Sequence, residues 1–270
     1  MISEWELDPG VLAGAGVALV LFAQGFKRLR RRGRASSDRA VLFGLGVAVA
    51  TLALVSPLHE ISESLLAGHT LQHVLLGDVA PALVVLALRG PLTFFVLPPF
   101  VLRSLARRRA LRRVLALLLR PKVSFSVWAL SLGLWHVPAA YDYALTHPLA
   151  HELEHVSFML GGLLVWVQLV DPARRRALSR NGRLVYAACL FAAGQALADV
   201  LLLAAPVYPS YDEPPFGLSP LADQQLAGLV MLAEQALALS ACVFFLLRPS
   251  FARPRLRASR ARRLSAASAR

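Results

Sequence analysis

The sequence predicts an all-α integral membrane protein, a bundle of seven transmembrane helices with its N-terminus outside and its C-terminus in the cytoplasm. The 270 residues are 57% hydrophobic and their mean hydropathy is +0.57, which is unusual for a soluble domain of this length. Apolar runs of about 20 residues, the length that spans a bilayer, recur along the chain. All 29 Lys and Arg lie outside these runs, in every second connection and in the segment after the last run.

Seven apolar runs are predicted to cross the membrane, at residues 10–26, 40–58, 64–88, 123–141, 151–170, 184–204 and 221–247. The chain starts with MISEWELDPG, which is acidic and lacks the basic segment of a cleaved signal peptide, so the first run is expected to stay in the protein. Residues 1–248 form the predicted membrane domain. Residues 249–270 form a basic cytoplasmic tail that is poor in large apolar residues and is predicted to be disordered.

The distribution of charge predicts the orientation. The Lys and Arg occupy four segments, 27–39, 89–122, 174–183 and 248–270, which alternate with the apolar runs in a single phase. Cytoplasmic loops carry such an excess of positive charge, so all four segments are expected inside. The basic side chains that give the net charge of +13 then face the anionic lipid headgroups of the inner leaflet. A nucleic-acid partner is therefore not expected.

The connection between the third and fourth runs is the longest. Its first part, 91–102, is too short and too rich in Pro to cross the membrane. Its second part places Leu111, Val114, Leu115 and Leu118 on one helical face with Arg around the rest. This pattern favours an amphipathic helix on the inner membrane surface, with a simple charged loop as the alternative.

Histidines mark one side of the predicted bundle. All seven lie at or near the outer ends of spans two to five: His59, His69, His73, His136, His147, His151 and His155. HTLQH and HELEH each place two imidazoles four residues apart, on one helix face. Both pairs lie in the first two turns of helices that run inward, so they are expected to meet at a similar depth. We therefore predict a metal site built from His69, His73, His151 and His155, with His136 and His59 within reach.

The donor atoms predict copper. Imidazole suits copper, zinc and iron, and thiolate is absent from this face. Met159, one turn after His155, and Met231 in the seventh span could add thioether, which favours Cu(I). Zinc and haem are the alternatives, although haem requires one imidazole from each of two facing helices rather than two on one helix.

Three acids lie deeper in the predicted spans. Because a charge at mid-membrane costs about 2.5–3.5 kcal/mol, Asp78, Asp199 and Glu234 are expected to face the bundle interior. Asp78 follows His73 by about one turn, so it could bind the metal site, a water or a polar cluster between helices.

HELEH also matches H-E-x-x-H, the zinc-protease pattern in which Glu152 would activate a water on an ion held by His151 and His155. The other pair, HTLQH, has Thr70 where that Glu would stand. The paired histidines are therefore the shared feature, and Glu152 and Glu154 are either incidental or orient the imidazoles. An intramembrane zinc metalloprotease and a haem- or quinone-linked membrane redox protein remain the alternatives to a non-enzymatic metal-binding protein.

Three blocks of the sequence resemble the CtaG family, the cytochrome c oxidase assembly factors linked to caa3-type oxidases. They are SPLHEISESLLAGHTLQHVLLGDVAPALVVLALRGPL, LWHVPAAYDYALTHPLAHELEHVSFMLGGLLVW and LSPLADQQLAGLVM. Their order and spacing agree with the family over residues 40–247. Two departures are Asp78, where the family has an apolar or small residue, and the PA of 81–82, where it has a double Pro.

The resemblance implies a function and a set of residues. It implies a multi-pass protein of the bacterial plasma (inner) membrane that assembles an active oxidase, acting as a copper chaperone on the outer face with an oxidase subunit as partner. The family's motifs fall on His69 with His73, His151 with His155, Trp135 with His136, and Asp223 with Gln224. The groups expected beside the ligands are Asp78, Glu152, Met159, Asp223, Gln224 and Met231.

Overall fold

The computed structural model describes residues 5, 7–90 and 92–267, and inside the last helix it gives no account of the side chains at 239 and 247–267. The all-helical prediction is confirmed: helix makes up 81%, and no strand occurs among the residues that the structure describes.

Thirteen α-helices make up the described chain: α1 Pro9–Arg30, α2 Ser37–Val55, α3 Pro57–Ser64, α4 Leu66–Val74, α5 Ala80–Ala87, α6 Leu92–Phe95, α7 Pro99–Arg107, α8 Arg109–Leu118, α9 Pro121–Trp135, α10 Pro138–Thr146, α11 Pro148–Val170, α12 Arg180–Leu203 and α13 Pro220–Ala267. A π-helical turn, Leu75–Val79, joins α4 to α5, and a 3₁₀ turn, Pro209–Tyr211, lies between α12 and α13.

Six helical segments of the described chain are long and apolar enough to cross a membrane. They are α1, α2, the α4–α5 segment Leu66–Ala87, α11, α12 and the Pro220–Leu246 part of α13. The number becomes seven if α8 and α9, bent by 76°, are counted as one span. The chain is therefore a multi-pass membrane protein, while the count of seven and the orientation stay predictions.

The fourth predicted span, 123–141, is shorter in the structure. α9 ends at Trp135, and α10 starts at Pro138. Val137 is extended, at φ −67° and ψ 124°, because a residue before proline is pushed out of the helical region. The 15 residues of α9 reach only about 22 Å, less than the roughly 30 Å thickness of the hydrocarbon core.

The third predicted span, 64–88, is interrupted by the π-helical turn Leu75–Val79. Pro81 explains the interruption, because a proline inside a helix lacks an N–H and its ring collides with the carbonyl four residues earlier. In this chain that carbonyl belongs to Gly77, and the wider turn accommodates it. The helix that carries His69 and His73 is therefore a short one, α4, which begins at Leu66.

α11 packs directly against the π-helical turn. A Cβ atom at Gly162 would collide with the carbonyl oxygen of Gly77 and lie 3.0 Å from the Pro81 Cγ. Glycine is therefore required at this position, and the backbones of the two segments touch. This contact holds α4 and α11, the two helices with paired histidines, side by side.

The predicted amphipathic helix is divided in two, α7 and α8. Neither buries a residue in the part of the chain that the structure describes, and the apolar side chains Val114 and Leu115 of α8 are exposed. With α8 bent by 76° from α9, its apolar face can lie along the membrane surface where α9 enters it. Contact with the inner leaflet stays a prediction.

α13 continues as helix to Ala267, past the predicted boundary at 248 between the membrane domain and the tail. The structure thus gives helix where the sequence suggested a disordered basic tail. Large apolar side chains on the spans are exposed, among them Leu203, Leu149 and Leu237. Such exposure suits contact with lipid chains.

Candidate metal centre

The first histidine pair lies side by side on α4. His69 and His73 are both buried, and their Nε2 atoms are 2.8 Å apart. At that distance one imidazole donates an N–H hydrogen bond to the other. An ion that replaced the proton would be held by both imidazoles.

The second pair, on α11, faces the first. The ring of His151 lies 5.5 Å from the ring of His69, and the ring of His155 lies 5.4 Å from that of His73, measured between centroids. The Nε2 atoms of His151 and His155 are buried without a hydrogen-bond partner among the described residues. The two pairs therefore converge on one pocket, with two nitrogens left to bind a ligand.

Glu154 contributes a carboxylate to this pocket. Its Oε1 lies 3.7 Å from the Nε2 of His73, and its side chain is fully buried. Ligand atoms of His69, His73, His151 and Glu154 all lie within 4.8 Å of one another. His155 lies beside this group but outside it, its ring 4.3 Å from that of His151.

Glu152, the acid of HELEH expected beside the ligands, lies at the surface, unlike Glu154. Glu152 is exposed and is not part of the buried four-membered group, so of its two predicted roles the structure favours the incidental one. In a helix Glu154 and His155 return to the face of His151, three and four residues on. Glu154 is accordingly the acid of HELEH that lies buried among the imidazoles.

His59 and His136 lie at the edges of the pocket. The His59 ring stacks on that of His151 at 6.0 Å, and its Nδ1 lies 3.0 Å from the Nε2 of Gln72. The Nδ1 of His136 donates to the carbonyl of Leu132 at 2.8 Å. His136 lines the adjacent cavity together with His73. The structure thus brings His59 and His136 near the four-membered group without placing either inside it.

Tyr211, which the sequence analysis did not single out, holds His69 in place. Its hydroxyl donates to the carbonyl of Ser62 at 2.8 Å and lies 3.0 Å from the Nδ1 of His69. Because the hydroxyl hydrogen is used in the bond to Ser62, the hydroxyl oxygen accepts a hydrogen bond from the Nδ1–H of His69. The lone pair of His69 is therefore on Nε2, which faces the pocket. Burial raises the pKa of Tyr211 and keeps the hydroxyl neutral.

Tyr211→Phe is expected to lower the affinity for copper by about 10–100-fold, the usual effect of losing a group that orients a metal-ligating histidine. Competition against a coloured copper chelator measures the affinity. Tyr143→Phe is the matched control, because Tyr143 is exposed and its ring stacks on His147, away from the pocket. Equal affinities in the two variants would contradict the orienting role.

Asp223 and Gln224 act on helices rather than on imidazoles. The buried carboxylate of Asp223 accepts from the backbone N–H of Leu66 at 2.8 Å and of Ala67 at 2.9 Å, and so caps the start of α4. The amide of Gln224 accepts from Val207 N–H at 2.8 Å and donates to carbonyls at the end of α12, that of Leu201 at 3.2 Å among them. Both residues position the pocket by holding α13 against its neighbours.

The two methionines differ in burial. Met231 is buried in the apolar cluster that also contains Leu66, Leu201 and Ala227. Met159 is half-buried on α11. Their predicted role as thioether neighbours of the ion stays a prediction.

Deeper groups form a polar contact of their own. Asp78, in the π-helical turn, accepts from the Trp166 indole N–H. Asp78 and Glu234 both line a cavity of about 130 Å³ that is also lined by His73 and His136. Asp78 and Glu234 thus face the interior as predicted, and Asp78 binds this deep cluster.

The prediction for Asp199 is wrong. Asp199 is exposed on α12 and accepts from the Gln195 side chain, one turn earlier, at 2.7 Å. It lies one turn before the end of α12 at Leu203, where a carboxylate can reach the polar edge of the bilayer.

The chemistry of the donor set fits a first-row transition metal. An ion held at about 2.0–2.1 Å by four tetrahedral ligands separates the ligand atoms by about 3.3 Å. The distances of 2.8 Å and 3.7 Å in the pocket bracket that value. Haem fits less well, since the neighbouring cavity of about 130 Å³ is smaller than the roughly 300 Å³ at which cofactor pockets begin.

The chain is similar to known proteins over most of its length. The model of the family described as cytochrome c oxidase caa3 assembly factor (Caa3_CtaG) matches residues 20–252. The uncharacterized protein Mb0105 of Mycobacterium bovis and the uncharacterized protein MT0111 of Mycobacterium tuberculosis are each 27% identical, over 84% of this chain and 36% of the relative. The chain thus spans about a third of the length of these relatives. No solved structure matches.

Proposed function

Because the chain belongs to the caa3-type cytochrome c oxidase assembly factor family, we propose that it binds copper in the histidine pocket and delivers it to an oxidase subunit. The protein would act in the plasma (inner) membrane as a copper chaperone, with the pocket at the extracytoplasmic face, and not as an enzyme. The observation that carries this proposal is the convergence of two histidine pairs from separate helices.

The pocket suits a cargo ion. His69, His73 and His151 supply three imidazoles, a donor that copper accepts readily. The unpartnered Nε2 atoms of His151 and His155 are polar atoms in a buried place, which are costly unless something binds them. The rings of His155 and His59 lie 4.3 and 6.0 Å from that of His151, where they would pass the ion on as it enters or leaves.

The double substitution His69→Ala and His73→Ala is expected to remove copper from the purified protein and to abolish assembly of an active oxidase in cells. Metal content by elemental analysis and oxidase activity of isolated membranes are the two measurements. His147→Ala is the matched control, because His147 is exposed and bonded to the carbonyl of Tyr143.

Two results would contradict the proposal. Unchanged copper content in the double variant would remove His69 and His73 as ligands. A Soret band in the visible spectrum of the purified protein would instead favour the haem-linked alternative.

A further inference from the structure

One carboxylate in the pocket has no partner other than the imidazoles. Glu154 is 0% exposed, and neither of its oxygens has a hydrogen-bond partner within the described part of the chain. An isolated carboxylate is expensive to bury unless it pairs with a charge or binds a metal. The His73 Nε2, at 3.7 Å, is too distant for a hydrogen bond.

Its placement matches that of a ligand. Glu154 follows His151 by three residues on α11, so both side chains share one helix face. One of its oxygens falls within 4.8 Å of the ligand nitrogens of His69, His73 and His151. The pocket therefore offers three imidazole nitrogens and one carboxylate oxygen.

We propose that Glu154 ligates the ion and makes this pocket a site for the divalent ions Cu²⁺ and Zn²⁺ rather than for Cu⁺. This inference rests on the proposed function, and it assigns the oxidation state in which the cargo is held. Sites with mixed nitrogen and oxygen donors are typical of Cu²⁺, whereas Cu⁺ is selected by soft sulfur ligands. Between the divalent ions, Cu²⁺ binds a given nitrogen and oxygen set more tightly than Zn²⁺ does.

The sulfur side chains lie around the pocket rather than in the four-membered group. Cys189 is exposed, while Met231 and Cys242 line the adjacent cavity together with His73. Glu154 is the group that supplies an oxygen to the three imidazoles, and an oxygen ligand favours a divalent over a monovalent ion.

Affinities of the purified full-length protein for Cu²⁺ and, under anaerobic conditions, for Cu⁺ test this inference. Glu154→Gln keeps the volume and removes the anionic oxygen. It is expected to weaken Cu²⁺ binding by about ten-fold or more and to leave Cu⁺ binding nearly unchanged. Losing a group that only orients a ligand already lowers metal affinity by about ten-fold, and losing a ligand should cost at least as much. Glu152→Gln makes the same change at an exposed acid of the same helix, so it is the control and is expected to change neither affinity. Met231→Leu tests the thioether, and on this inference the Cu²⁺ affinity does not depend on it.

The outcomes separate the two proposals. If the double histidine variant loses copper while Glu154→Gln keeps the wild-type Cu²⁺ affinity, only the present inference is overturned. If neither loses copper, the proposed function fails as well. Loss of Cu⁺ binding in Met231→Leu would assign the site to the monovalent ion and also overturn the inference.

A measurement on the wild-type protein covers the case in which Glu154→Gln does not fold. Infrared difference spectra on addition of Cu²⁺ or Zn²⁺ are expected to show the stretching bands of a metal-bound carboxylate. Spectra without any carboxylate change would overturn the inference.

Discussion

Asp223→Ala is expected to lower the free energy of unfolding by about 3–6 kcal/mol, because hydrogen bonds to a charged group contribute about 1.5–3 kcal/mol each. The substitution removes the acceptor of two buried N–H groups, those of Leu66 and Ala67, at distances of 2.8 and 2.9 Å. Both bonds join α13 to the start of α4, so their loss frees the helix that carries His69 and His73. Copper binding is expected to fall with the stability.

Asp199→Ala provides the control for this prediction. It removes an acid of the same type that is exposed and bonded only locally, to Gln195 on its own helix. Surface changes of this kind stay within about 0.5 kcal/mol. Thermal unfolding in detergent, followed by circular dichroism, measures both variants. A melting temperature of Asp223→Ala equal to that of Asp199→Ala would show that the cap of α4 is not needed.

The helix content and the histidine pocket could be predicted from sequence because both depend on local spacing. Apolar runs of fixed length mark spans whatever their neighbours are. Two imidazoles four residues apart share a helix face, and two such pairs at the outer ends of inward-running helices meet once the helices pack. The structure places the centroids of facing rings 5.4 and 5.5 Å apart, as that argument requires.

The two acids of HELEH could not be told apart from the sequence. The zinc-protease pattern points to Glu152, while the three-residue spacing from His151 puts Glu154 on the face of the imidazoles. Which of them is buried depends on how α11 is rotated against α4, and in the structure it is Glu154.

Other parts of the site depend on long-range contacts that no local pattern encodes. Tyr211 comes from the loop after α12, yet its hydroxyl lies 3.0 Å from His69, which is 142 residues earlier. Family likeness singled out Asp223, but its role as the cap of α4 follows only from the packing of α13 on α4. The breaks in the third and fourth predicted spans could be recognised in the sequence only by single prolines, Pro81 and Pro138. Each proline interrupts a helix but leaves the apolar run at its full length, so the run alone did not predict the break.

The second substitution with a large expected effect lies where the backbone of α11 touches that of the π-helical turn. Gly162→Ala is expected to cost about 3 kcal/mol or more and to abolish copper binding, because overpacking cannot be relieved when the neighbour is backbone. The new Cβ atom would lie 2.8 Å from the carbonyl carbon of Gly77 and 3.0 Å from the ring of Pro81. The helices must then separate, and the two histidine pairs separate with them.

Gly133→Ala is the contrasting substitution, since a Cβ atom at Gly133 of α9 meets nothing within 4 Å among the described residues. Alanine is favoured over glycine inside a helix by roughly 0.5–1 kcal/mol, so this variant is expected to be slightly more stable than the wild type. Melting temperature and bound copper, measured together, should fall in Gly162→Ala and hold or rise in Gly133→Ala. If Gly162→Ala kept its stability but lost copper, the effect would lie in the spacing of α4 and α11 alone; if it kept both, the close approach would not be needed to form the pocket.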